Sequence, residues 1–295
     1  MAGGLHPFHL ETGVWWDMNT CPVPPGFDPR HVRGCIKSAL EKKIGRPSVV
    51  SIYALGNLEY IPRDLLEMIS SSGITLIHGL RNMMDFNGFL EEWSDNSMDT
   101  TYTMVITDDY GIAYPPLLGL FEFSKLCAYP KDGRLIALAN QSNPRHRVLP
   151  CDFVWEALLS DNYADTTDEM NSTRSKPLYG SKPLYVCNIC DTYFEEEFSP
   201  HLKFSTHLKG EGHRTKLFDI AARDSSNGEL KHFCQVCNYP ADVDFNLRLH
   251  NQSEEHKLAA KKAQEEDNCE SSNRVGSGWR DKKQSLLNEA NSEDH

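Results

Sequence analysis

The sequence predicts an α/β fold, with a parallel sheet covered by helices on both faces and followed by two small Cys/His modules. Three observations carry this expectation. Between Gly13 and Asp161, β-branched apolar runs alternate with helix-period segments, the pattern of a parallel sheet rather than of hairpins. After Asp161 the composition turns polar and acidic. Two Cys-x-x-Cys pairs, each trailed by two histidines, then stand in the C-terminal half.

The elements follow in order. Residues 13–17, Gly-Val-Trp-Trp-Asp, read as a buried strand that ends in an acid, and residues 21–27 form a Pro-rich loop. Asp28 is suited to an N-cap and Pro29 to the first helical position, which starts a helix reaching about Lys43. Residues 48–55 make a second strand, 62–71 a helix closed by Gly73, and 74–78 a third strand. A helix over 83–93 and a strand over 102–107 come next, then a helix around 117–126, a strand at 134–139 and a last helix over 151–159 carrying Trp155. Residues 161–175 show no periodicity and read as linker. Ser-Lys-Pro-Leu-Tyr, present at 175–179 and 181–185, is too short to be a repeat architecture. The expected divisions are a domain over 11–160, a linker over 161–184, modules over 185–218 and 232–262, and a disordered tail over 268–295.

Totals narrow the function classes. No apolar run approaches the roughly 18 residues of a membrane span, and the N-terminus lacks the basic and apolar regions of a signal peptide. The reading is a protein without membrane insertion, in the nucleus or cytoplasm. Mean hydropathy is −0.51. The formal net charge of −12 argues against a large basic face for nucleic acid. Between Lys176 and Lys262, however, twelve basic residues balance twelve acidic ones, so binding there would be local and salt-sensitive.

Four of the nine cysteines fall in the two pairs, and in a reducing compartment such pairs hold metal more readily than they form disulfides. The first module reads Cys187-x2-Cys190-x16-His207-x5-His213 and the second Cys234-x2-Cys237-x12-His250-x5-His256. Two thiolates and two imidazoles make a closed tetrahedral Zn²⁺ site, and a segment of about 30 residues needs the metal to fold. His201 competes with His207 for the first site; the parallel with the second module favours His207. Histidines six positions apart lie roughly 240° apart around an ideal helix, so the helix must break between them. Twenty residues separate His213 from Cys234, too many to hold two modules in DNA-groove register. The x5 spacing resembles matrin-type and double-stranded-RNA-binding zinc fingers, which implies RNA recognised by shape and backbone; a protein partner is the other reading.

Three aspartates stand at strand ends: Asp17 after the first strand, Asp85 opening the helix after the third, and Asp109 after the fourth, with Asp108 beside it. Carboxylates gathered at one sheet edge suit Mg²⁺ or Mn²⁺ and phosphodiester hydrolysis; aspartates at strand ends are also common as caps and turn formers. The segment from Gly13 to Pro24, Arg81-Asn82-Met83-Met84-Asp85, and Met104 to Thr107 before Asp109 closely resemble NYN domains of the limkain family, also called meiosis regulator and mRNA stability factor. That resemblance reaches to about Leu159. It implies a Rossmann-like, PIN-like ribonuclease fold in which Asp17, Asp85 and Asp109 hold the divalent metal, and it adds a peroxisomal association. Asn19 and Thr20 stand where that family usually carries an acid and then Asn, Met83 and Met84 where it carries small residues, and Gly111 where it carries Asp or Asn. No role is assigned to His6, His9, His31, His78, His146 or His232, which lack partner spacing.

Overall fold

The computed structural model describes residues 11–45, 49–79, 86, 88, 90, 100–113, 124–141, 148–172, 185–195, 199–223, 231–241 and 244–266. Two compact units divide the chain, Met1–Lys216 and Leu217–His295. In the first unit the strands are β1 (Glu11–Asp17), β2 (Val49–Gly56), β3 (Thr75–His78), β4 (Thr100–Ile106), β5 (Ser124–Tyr129), β6 (Phe153–Val154), β7 (Tyr185–Cys187) and β8 (Thr192–Phe194). They form one sheet in the order β6-β5-β4-β1-β2-β3-β7-β8. Every neighbouring pair is parallel except β7 with β8. The α/β class with a mostly parallel sheet is therefore observed.

Burial explains the central strand. Val14, Trp15 and Trp16 are all buried, as expected of a strand covered on both faces. Trp15 stacks on Tyr53 and meets Phe86 edge-on, within a cluster that includes Leu55, Ile77, Val105 and Val186. Trp16, on the opposite face, packs on Trp155 with ring centroids 5.3 Å apart. Both indoles then reach the Pro-rich loop: Trp16 Nε1 donates to the Cys21 carbonyl at 2.7 Å and Trp155 Nε1 to that of Pro22 at 2.9 Å. These two bonds tie down the chain that leaves Asp17.

Asp28 caps a 3-10 turn, Pro29–His31, that leads into α1 (Val32–Ile44). α2 (Arg63–Ser71) ends with Gly73 at φ +85°, as its glycine suggests. Residues 86, 88 and 90 are helical within the expected helix over 83–93, and the remainder of that helix lies outside the described residues. Further on the structure departs from the sequence reading. Residues 134–139, expected as a strand, form helix α3 (Arg134–Ala139), and 124–126, expected as helix, belong to β5; 117–123 lie outside the described residues. Short apolar runs have no decisive period. Tertiary context settles these: Asp108, just past β4, accepts the N–H groups of Arg134 and Leu135 at 3.0 and 2.8 Å and so caps α3. The stretch from Asp161, expected to be irregular, is helical as far as Ser172 in α4 (Trp155–Ser172). Its inner positions are polar because they bond α1: His31 Nδ1 lies 2.6 Å from Thr166 Oγ1, and Ser38 and Lys42 reach Asn162. An apolar-periodicity reading misses such a face.

α5 (Pro200–Leu208) and α6 (Glu211–Arg223) follow β8. The second unit has a two-stranded antiparallel ribbon, β9 (Phe233–Cys234) with β10 (Tyr239–Pro240). Helix α7 (Asp244–Gln252) and a further helix over 254–266 come after it.

Candidate functional site

β1 and β4 are neighbours, with Trp16 in register with Ile106, so Asp17 and Thr107 emerge side by side at the carboxyl edge of the sheet, where parallel sheets place their ligand crevice. Asp17 is 8% exposed and its carboxylate is surrounded by donors. Oδ1 accepts the N–H of Asn19 at 3.0 Å and of Thr20 at 3.3 Å. Oδ2 accepts the hydroxyl of Thr107 at 3.0 Å and a short bond from that of Thr20. Each hydroxyl in turn accepts a backbone N–H from the loop after β4, Asp108 to Thr20 and Asp109 to Thr107, both at 2.9 Å. Burial raises the Asp17 pKa above the usual carboxylate value; the Thr20 and Thr107 hydroxyls and the two amides oppose that shift.

The three aspartates do not stand alike. Asp109 is exposed and its Oδ1 accepts the Gly111 N–H at 2.6 Å, a turn closed on itself. Asp108 serves as the cap of α3. Asp85 lies outside the described residues. Thr20 and Thr107, which the sequence reading passed over, are the side chains that join Asp17 to the loop bearing Asp109. Thr20 occupies a position already noted as unusual, and that was the available signal.

The two Cys/His sets do gather. Ligand atoms of Cys187, Cys190, His207 and His213 lie within 4.8 Å of one another, as do those of Cys234, Cys237, His250 and His256. His201 faces Glu67 instead, at 3.4 Å. In each module the helix breaks between its histidines: α5 ends at Leu208 before α6 opens at Glu211, and α7 ends at Gln252 before the helix over 254–266. A tetrahedron with Zn–S of about 2.3 Å and Zn–N of about 2.0–2.1 Å has an S···N edge of roughly 3.5 Å. The Sγ atoms of Cys187 and Cys190 are 3.5 and 3.4 Å from His213 Nδ1, and those of Cys234 and Cys237 are 3.4 and 3.5 Å from His256 Nδ1. His207 Nε2 is buried with no hydrogen-bond partner among the described residues. The donor sets therefore fit a small tetrahedral ion. Burial holds His213 down to about 4 and pushes the Cys187 thiol up to about 12, so an entering metal must displace thiol protons.

The knuckles carry a further shared feature. Asp191 and Asn238, each directly after the second cysteine, take φ of 51° and 49°, a region that Asp and Asn enter most readily among residues with a Cβ.

The first module is also built into the large sheet. β7, which delivers Cys187, pairs parallel with β3 in the register His78 opposite Cys187. Tyr185 bonds Ser70 and packs on Phe204 of α5. His78, given no role by its sequence context, is fully enclosed. Its Nδ1 accepts the Leu58 N–H at 3.0 Å, and its ring stands edge-on to His213 at 5.0 Å. Burial, with His213 and His207 close by, keeps it well below the usual imidazole pKa, hence neutral.

With this geometry in hand, the comparison with known families is specific: the NYN domain, of the PIN-like nuclease superfamily, matches residues 11–104. That span runs from the first residue of β1 into β4. It includes Asp17 and stops before Thr107 and Asp109. No curated protein matches the chain. The NYN match points to nuclease-like, RNA-related function, and no helix among the described residues is long and apolar enough to cross a membrane.

Proposed function

We propose that this protein binds RNA and cuts it endonucleolytically in a divalent-metal-dependent reaction, as a limkain-type NYN protein acting in RNA metabolism and the regulation of gene expression. The observation that carries the reading is the linkage of Asp17 to the Asp109 loop through Thr20 and Thr107 at the carboxyl edge of adjacent strands β1 and β4. Asp17 and Asp109, joined by Asp85, would hold Mg²⁺ or Mn²⁺, which supplies an activated water and charge neutralisation at the phosphodiester. The buried Asp17 is fixed in orientation by its four donors, whereas the exposed Asp109 is open to solvent and RNA. Two Zn²⁺ ions in the Cys/His clusters would fold modules of the double-stranded-RNA-binding type. Exposed Lys203, Lys209, Arg214 and Lys216 of the first module and Lys257, Lys261 and Lys262 of the second suit phosphate contacts. A location in nucleus or cytoplasm, or at peroxisomes, accords with this reading.

The test is cleavage of labelled single-stranded and hairpin RNA with Mn²⁺, beside an Asp17→Asn/Asp85→Asn double variant. Cutting by the parent alone supports the enzyme. A second reading, an inactive NYN scaffold whose fingers bind RNA or a protein partner, is favoured by one observation: protein donors occupy all four acceptor positions of the Asp17 carboxylate. Zinc-dependent RNA binding without cutting by the parent would establish that reading and end the first.

A further inference from the structure

Backbone and side-chain contacts lead from the first Cys/His cluster to Asp17. The Asn188 N–H, between the two cysteines, donates to the His78 carbonyl at 2.9 Å. Ile189 lies against Gly79, whose φ is +92° and where an added Cβ would come within 2.5 Å of Ile189 Cγ1. The Gly79 N–H donates to the Gly56 carbonyl at 3.1 Å, while the adjacent His78 ring accepts the Leu58 N–H at 3.0 Å and touches His213. Residues 56–58 are thus held from the cluster side. Their other side holds Asn19. The Asn57 N–H donates to Asn19 Oδ1 at 2.6 Å and Asn19 Nδ2 returns a bond to the Asn57 carbonyl at 3.1 Å. Gly56 leaves no room for a side chain beneath that amide. Asn19 N–H then donates to Asp17 Oδ1.

We propose that metal in the first Cys/His cluster acts as a positioning clamp for the Asp17 edge of the crevice, with His78, Gly79 and the Asn19–Asn57 pair as the positioning residues. The inference rests on the reading that the cluster holds zinc. Its physical basis is that β7 is only three residues long. Three residues give few ladder bonds with which to hold register on β3. Fixing Cys187 and Cys190 to His207 and His213 of α5 and α6 immobilises the knuckle, and the knuckle supplies Asn188 and Ile189 to β3. Without the ion the knuckle frays, the end of β3 and residues 56–58 loosen, and Asn19 loses the partner that fixes it beside Asp17. The first cluster is then a working part of the N-terminal domain as well as a finger fold.

The experiment is hydrogen exchange of the full chain, with zinc content measured on the same samples. The parent is read before and after graded chelation, alongside Cys190→Ser, Cys190→His and Cys237→Ser. Cys190→Ser is expected to lose the first-cluster zinc and to lower amide protection over 18–21 and 55–58 by about tenfold. Cys190→His keeps four ligands and restores both. Cys237→Ser loses the other zinc with protection over those segments within about twofold of the parent. Should Cys190→Ser fail to fold, graded chelation of Cys237→Ser, already without the second zinc, reads the removal of the first-cluster zinc alone. Loss of first-cluster zinc with unchanged protection over 18–21 and 55–58 overturns the clamp while leaving the zinc reading intact. Absence of zinc from the parent overturns both.

Discussion

The Cys/His clusters and the carboxylate edge treat their buried polar atoms in opposite ways. At the first cluster His207 Nε2 is buried with no hydrogen-bond partner among the described residues. At the carboxylate edge every acceptor position of Asp17 is filled by the protein. An orphaned buried imidazole nitrogen costs about 1–3 kcal/mol unless something satisfies it, and the gathered donors of this cluster could hold a metal ion. Asp17 is satisfied by the fold itself, and an ion there must compete with hydroxyls and amides already in place. The contrast separates a donor set left short of a partner from one that the fold has already satisfied.

Removing metal from the second cluster should show the largest effect. Its module holds β9, β10 and α7 with little apolar burial, and Pro240 in β10 has no N–H with which to extend the ribbon. Apparent zinc-binding free energies in such modules are about 10–16 kcal/mol. Chelation should therefore abolish its helical signal in circular dichroism and open 231–266 to protease, and an unchanged digestion pattern would show that the module folds without metal. Gly79→Val comes next. It places a β-branched side chain at φ +92° against Ile189, at an expected cost of about 2–3 kcal/mol in denaturant unfolding. Gly212→Ala, in the first turn of α6 with nothing within 4 Å of its added Cβ, should instead gain about 0.5–1 kcal/mol. Equal effects of the two would mean that neither the left-handed φ of Gly79 nor its contact with Ile189 constrains that position.

The legible and illegible parts divide along the same line. Strands β1 to β4 could be read because long apolar runs with caps and glycine stops have one good interpretation. The gathering of the Cys/His side chains was legible because ligand spacing is a local property. What escaped depended on distant partners. Arg134–Ala139 became a helix because Asp108 caps it across the sheet. Residues 161–172 looked aperiodic because Asn162 and Thr166 bond α1 rather than bury hydrocarbon. Tyr185–Cys187 is too short to announce a strand, so the pairing of β7 with β3, and with it the place of His78, had no sequence signal beyond a histidine followed by glycine at a strand end. Asp191 and Asn238 did carry a signal, a turn-forming residue after each second cysteine, legible once the two knuckles are aligned.

The carboxylate edge should respond less. Thr107→Val keeps the shape, removes one hydroxyl donor from Asp17 Oδ2 and leaves the Asp109 N–H without its acceptor. The expected cost is about 1–3 kcal/mol. The Asp17 carboxyl should titrate still higher, read by carbon-13 shifts of that residue; a lower value would mean that water or a cation takes the vacated position.

The smallest expected effect is a gain. Because burial raises the Asp17 pKa in the folded chain, the native state holds that proton more tightly than the unfolded chain does. Stability from this group is thus full below the unfolded carboxylate value, falls as pH rises through the native one, and stays reduced at neutral pH. Asp17→Asn removes the charge. Its Oδ1 keeps the N–H bonds of Asn19 and Thr20, and its Nδ2 donates to the hydroxyl oxygens of Thr20 and Thr107, which rotate their own protons away. At pH 7 the variant should be more stable by about 0.5–2 kcal/mol, the range of single stabilising substitutions, and the gain should vanish in acid where Asp17 is protonated in both states. A gain that persists unchanged at low pH would assign it to packing. A loss at neutral pH that Mn²⁺ leaves unchanged in parent and variant alike would show that the four donors require the negative charge, and Asp17 would then be a structural carboxylate rather than one kept for an ion.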